Sequence, residues 1–124
     1  MKLIKTIWLI ISVISFNACS EINISKIINT NKSLELYIKS EKKENISVGS
    51  VKWKKIIQFA NDNTKKWKRT PASYFSDISV RQGNFRLLYS IGKDYIVIRF
   101  NDKKGNSKQF YKKIKKGALD FLIE

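Results

Sequence analysis

The run Tyr95-Ile96-Val97-Ile98-Arg99-Phe100 decides the fold. It is β-branched and aromatic almost throughout, the composition of a strand that packs on a pleated, half-buried surface. Working outward, Asn101 to Asn106 contains Asn-Asp and Gly-Asn and reads as a hairpin loop. Ser107 to Lys113 is the return strand, with Phe110 and Lys112 facing opposite to Gln109 and Tyr111. On the other side, Gly92-Lys93-Asp94 is a turn and Phe85 to Ser90 a strand. Gln82-Gly83-Asn84 is the next turn, and Ile78 to Arg81 a short strand. Connections this short make neighbouring strands antiparallel. Beyond the hairpin, Ile114 to Glu124 is expected to turn at Gly117 and close with a short helix carrying Leu119 and Leu122.

The period changes upstream. Ser47 or Ser50 can cap a helix that runs to about Lys68. At about 100° per residue, Trp53, Ile56, Ile57, Phe59, Ala60 and Trp67 share one arc, while Lys54, Lys55, Lys65, Lys66 and Lys68 lie opposite. Pro71 ends the helix, because it disfavours helix at the residue before it. Tyr74 and Phe75 then form an apolar patch expected to pack on the helix end. Ser33 to Lys39 alternates, with Leu34, Leu36 and Ile38 on one face, and predicts a strand. Ser40 to Asn45 reads as a charged loop. The expected class is α+β: a three- or four-stranded antiparallel meander against one long amphipathic helix, plus a short C-terminal helix.

The N-terminus has another design. Lys2 and Lys5 precede an apolar run from Ile7 to Phe16, followed by Asn17, Ala18 and Cys19, the only cysteine. A spanning helix needs about twenty apolar residues, so a run of about ten fits the core of a secretory signal. Phe16-Asn17-Ala18-Cys19 resembles the lipobox of bacterial lipoprotein precursors. Membership would imply that Cys19 is acylated and becomes the mature N-terminus. In a Gram-negative cell, Ser20 after the cysteine resembles the outer-membrane sorting type. The alternative is ordinary cleavage after Ser20, where Ala18 and Ser20 form a small-x-small pattern, giving a soluble secreted domain. The division expected is a signal over 1–18, the lipidated cysteine with a tether over 19–32, and one domain over 33–124. Lone Cys19 has no internal disulfide partner, so the domain must hold by packing.

The formal net charge is +15. The cations are overwhelmingly lysine, with Arg69, Arg81, Arg86 and Arg99 the only arginines. Base reading favours arginine forks, so this balance argues against specific nucleic-acid recognition. A chain rich in Ile, Lys and Asn also fits an AT-rich genome, which makes composition alone one explanation of the charge. There is no histidine, which removes the commonest general base and metal ligand. Asp62, Asp77, Asp94, Asp102 and Asp120 show no paired catalytic spacing, and Gly83, Gly92 and Gly105 form no phosphate-cradling run. No catalytic residue, metal site or cofactor is expected, and the chain reads as a non-enzyme.

The densest surface feature is Lys103, Lys104, Lys108, Lys112, Lys113, Lys115 and Lys116, with Phe110 and Tyr111 between them. It reads either as an edge strand guarded by lysines or as a patch for anions or an acidic partner. Two functions follow. The first is a lipid-anchored envelope module that binds a protein partner, an inhibitor or immunity-type protein being one subtype. The second is a peripheral binder of anionic lipid headgroups or phosphorylated polysaccharide through the lysine-rich surface.

Overall fold

A computed structural model describes residues 19–124, and the expected signal over 1–18 lies outside the described residues. The class is α+β, as expected, but the sheet is larger than a three- or four-stranded meander. Seven strands pair antiparallel throughout, in the order β2-β1-β4-β5-β6-β7-β3. They are β1 (Leu34–Ile38), β2 (Glu41–Ile46), β3 (Lys68–Arg69), β4 (Ile78–Gln82), β5 (Phe85–Tyr89), β6 (Tyr95–Asn101) and β7 (Ser107–Lys113). Two helices, α1 (Ile24–Ile27) and α2 (Val51–Asp62), and a 3₁₀ turn over Asp120–Ile123 complete the fold.

The meander from Ile78 to Lys113 forms where the sequence places it. Ile96 and Ile98 of β6 are fully buried, and register sets Ile98 between Leu87 of β5 and Phe110 of β7. Leu36, Val80, Leu87 and Ile98 form one row across the core face. Ile56 and Ala60 of α2, Ile24 and Ile28 around α1, and Leu119 and Leu122 at the C-terminus join the same core.

The two extra pairings come from segments with weak hydrophobic signal. Glu41–Ile46, expected as a loop, is a strand exposed along its length until Ile46 enters the core. It pairs back through a two-residue turn at Lys39 and Ser40, with φ of +50° and +68°. Turns of that hand usually carry Asn-Gly, so this pair gave no hairpin signal. β2 is therefore an outer strand, and its run of charged residues guards it against edge-to-edge pairing.

The helix is shorter than expected. It starts at the Ser50 cap, whose hydroxyl accepts from the Trp53 amide, and ends at Asp62 instead of Lys68. Asn63 caps it by donating from Nδ2 to the Phe59 carbonyl at 2.9 Å. Trp67 leaves the helix yet is completely buried. It lies seven residues after Ala60, close to two helical turns, so the apolar stripe looks the same whether or not the helix continues. Its indole instead donates to the Asn63 carbonyl at 2.8 Å, and the next two residues pair with β7.

Residues 20–32 are packed, not a tether. Ser20 and Trp67 exchange two backbone hydrogen bonds, and Ile22 donates to the Thr64 carbonyl. Ile24 and Ile28 are buried, and the Gln82 side chain is tied to Asn29 by accepting from its amide and donating to its carbonyl. The expected C-terminal helix is the 3₁₀ turn, fixed where Asp120 accepts from the Tyr89 hydroxyl and the Gly92 amide. Phe75 is 88% exposed and Tyr74 lies on the sheet, so this pair does not pack on the helix end.

Candidate binding surfaces

The helices and the C-terminal turn cover one face of the sheet. On the opposite face, alternate residues of each strand point away from that core. Register lines up Glu35, Arg81, Arg86, Arg99 and Gln109 across five neighbouring strands. Three arginines thus stand side by side on β4, β5 and β6, about 5 Å from strand to strand. Like charges directly opposite one another destabilise a sheet. Glu35, the acid of the row, is ion-paired with Lys42 at 3.4 Å. Its carboxyl is held below the usual range, first by the Tyr37 hydroxyl and then by Lys42.

Each arginine is held in place. Arg81 lies 3.9 Å from the centre of the Tyr37 ring and donates from Nε to the Ser79 hydroxyl at 2.9 Å. Arg86 donates to the Gly83 carbonyl at 2.6 Å. Arg99 donates from Nε and Nη2 to Gln109 Oε1, at 3.1 and 3.0 Å. Gln109 in turn donates to the Ala72 carbonyl at 2.6 Å, which draws the Thr70–Ala72 loop to the end of the row. Arg69 lies outside the row, in register with Phe110 of the core face, and lines a cleft of about 520 Å³ with Arg99, Thr70, Pro71, Ser107 and Gln109. Three of the four arginines of the chain therefore stand in one row on the open face, with Arg69 beside Arg99 only at the cleft. Among the described residues, none of the four is within ion-pair distance of a carboxylate.

Beside the row is an aromatic cluster. Tyr95 and Tyr111 stack with centroids 5.5 Å apart, and Tyr74 reaches over from the loop to both, at 6.1 and 6.3 Å. The cluster shields Val97, which is 1% exposed although it points away from the main core. This arginine and tyrosine face was not among the expected site residues. Alternation in Tyr95, Val97 and Arg99 was its one sequence signal, and the signal is weak until the partner strands are known.

The seven lysines singled out from the sequence do not form one patch. Lys103 and Lys104 sit at the β6–β7 loop, where the Asp102 carboxylate accepts from the Lys104 and Asn106 amides. Those amide hydrogen bonds, the Asn106 one first, hold Asp102 below its usual range. Lys108 approaches Asp102 at 3.9 Å. Lys113, Lys115 and Lys116 lie at the far end of β7, about 20 Å away at the usual strand rise. Lys112 is set apart again, donating to the Lys65 carbonyl at 2.7 Å. Partial burial, then the charge of Lys66, lowers its pKa. β7 is also not an edge, because β3 covers Phe110 and Tyr111.

Cys19 is exposed and adjoins the Ser20–Trp67 pairing, at the β3 side of the sheet. A shallow apolar groove of about 620 Å³ lies elsewhere, between α2 and the C-terminal turn, lined by Val51, Phe59 and Phe121 with Lys54 and Lys55. Among the described residues no group of three or more His, Cys, Asp or Glu gathers as a metal site, and no helix is long and apolar enough to cross a membrane. Comparison with protein-family models, with curated proteins and with solved structures returns no match.

Proposed function

We propose that this chain is a membrane-anchored envelope lipoprotein whose domain is a non-enzymatic binding module for an acidic protein partner. The observation that carries the binding part is the Arg81–Arg86–Arg99 row on the open face. An AT-rich genome accounts for many lysines. It gives no reason for three of the four arginines to stand in one row on three neighbouring strands. Arginine forks suit carboxylates because they donate two parallel hydrogen bonds. Arginine and tyrosine are also the residues that dominate protein interfaces. Three cations in register cost the free domain some stability, a cost that an acidic partner removes on binding. An inhibitor or immunity-type protein fits this description by class analogy. The anchoring part rests on the lipobox-like segment ending at Cys19.

Two variants test the two parts. Arg81→Glu with Arg99→Glu reverses the outer charges of the row at side chains outside the core. The unaltered chain should retain an acidic envelope protein at low salt that this variant releases. Equal retention by both, or no retained protein under any salt, refutes the binding reading. Cys19→Ser removes the thiol that acylation needs, and the protein should move from the membrane to the soluble fraction or stay as precursor. An intact mass showing an unmodified N-terminus past Cys19 refutes the anchor.

A further inference from the structure

The lysines of the segment that pairs with Ser20 form a separate set from the arginine row. Lys65-Lys66-Trp67-Lys68 runs along the outer side of β7, with the three lysines exposed and Trp67 fully buried between them. Trp67 pins this segment at both ends, through its indole to Asn63 and its backbone to Ser20. Lys66 takes a left-handed conformation, φ +64°, which breaks the helical spacing and lets the segment cross from α2 to β3. Lys112 adds a fourth amine, anchored to the Lys65 carbonyl. Glu21 is the one carboxylate on the stretches 19–22 and 64–70. Among the described residues no ion pair neutralises any of the four lysines.

This edge adjoins Cys19, because Ser20 is the residue paired with Trp67. We propose that the edge formed by Lys65, Lys66, Lys68 and Lys112 is a membrane-contact surface that lies on anionic lipid headgroups. The position beside Cys19 rests on the anchoring reading above; the charge of the edge does not. An acyl chain fixes one point and leaves the domain free to swing. Four cations around that point, held on a packed segment, add a torque that sets the sheet edge-on to the bilayer. The arginine face then looks sideways, clear of the lipid, where a partner can reach it. Occupancy by phosphate-bearing lipids is favoured over zwitterionic ones, with each juxtaposed cation strengthening attachment about fivefold at low salt. The effect fades as salt shortens the screening length.

The test is amine labelling of the mature protein as isolated, placed on phosphatidylcholine vesicles or on vesicles that also contain phosphatidylglycerol. Labelling at each lysine is read by peptide mass spectrometry. Lys65, Lys66, Lys68 and Lys112 should label several-fold more slowly on the anionic vesicles, with the difference gone at high salt. Lys103 and Lys104 at the far loop, and Lys115 and Lys116, should label equally on both. Protection spread evenly over all lysines, or centred on Lys103 and Lys104, overturns the proposal. A Lys65→Gln, Lys66→Gln, Lys68→Gln variant, with Trp67 kept and the fold checked by near-ultraviolet circular dichroism, should lose the lipid dependence at Lys112. Retention of it there also overturns the proposal. Intact mass of the same sample separates the two readings. Unacylated protein that still floats with anionic vesicles keeps the edge and removes the anchor. Acylated protein without selective protection does the reverse.

Discussion

Replacing Trp67 tests whether the N-terminal segment, the helix end and β3 are locked by one side chain. Trp67 is completely buried, its indole donates to the Asn63 carbonyl, and its backbone pairs with Ser20. Trp67→Ala removes the largest fully buried side chain, and such truncations cost about 3–5 kcal/mol. The lost hydrogen bond is worth about 1 kcal/mol on its own. Domains of this size are stable by about 5–15 kcal/mol, so the variant should be marginal, with its melting temperature lowered on the order of 20 °C. Trp67→Phe separates the two parts, keeping a ring and losing the donor, and should cost about 1–2 kcal/mol. Trp53 is the control. Its indole nitrogen is buried with no hydrogen-bond partner. Trp53→Phe removes an unsatisfied donor along with some apolar area, and the two effects should leave stability within about 1 kcal/mol of the parent. Urea unfolding followed by far-ultraviolet circular dichroism, which does not depend on the indoles replaced, measures all three. Equal losses for Trp53→Phe and Trp67→Phe, or a Trp67→Ala cost under about 1 kcal/mol, would refute the reasoning.

The Lys39-Ser40 turn holds two non-glycine residues at positive φ. Lys39→Asn with Ser40→Gly should raise stability by about 1 kcal/mol, read by thermal unfolding, and no gain would mean that the turn is not of this hand. The Tyr89–Asp120 contact predicts a stability plateau bounded on both sides. Asp120, held below the usual carboxylate range chiefly by the Tyr89 hydroxyl, contributes stability above its unfolded pKa, and this is lost as pH falls through the lowered value. Tyr89, pushed up to about 12 by burial first and then by Asp120, contributes below its unfolded value of about 10, and this is lost as pH rises towards 12. Asp120→Asn should remove the acid-side part and advance the titration of one tyrosine in ultraviolet absorbance; an unchanged tyrosine titration counts against the pairing.

The residues from Ile78 to Lys113 announce their strands because they are apolar or alternating and their turns carry Gly, Asn and Asp. Local chemistry settles such segments before any long-range contact forms. The α+β class and the core positions Leu34, Leu36, Ile56, Leu119 and Leu122 follow from the same local signals. Other features depend on partners distant in the chain. Glu41–Ile46 becomes a strand because β1 offers hydrogen bonds, its own side chains giving no pattern. Helix α2 stops at Asp62 because Trp67 gains a buried place and an indole partner by leaving the helical path, an outcome its seven-residue spacing from Ala60 conceals. Residues 20–32 pack because Ile24 and Ile28 find a gap beside α2 that exists only once the sheet is built. The lysine count is plain in the sequence, but its grouping is not. β7 carries Lys103 and Lys116 to opposite ends, while the β3 pairing brings Lys112 to Lys65. The arginine row is the sharpest case. Arg81, Arg86 and Arg99 become neighbours only through strand register, which the turns at Gly83 and Gly92 and the buried rows of the core face impose together.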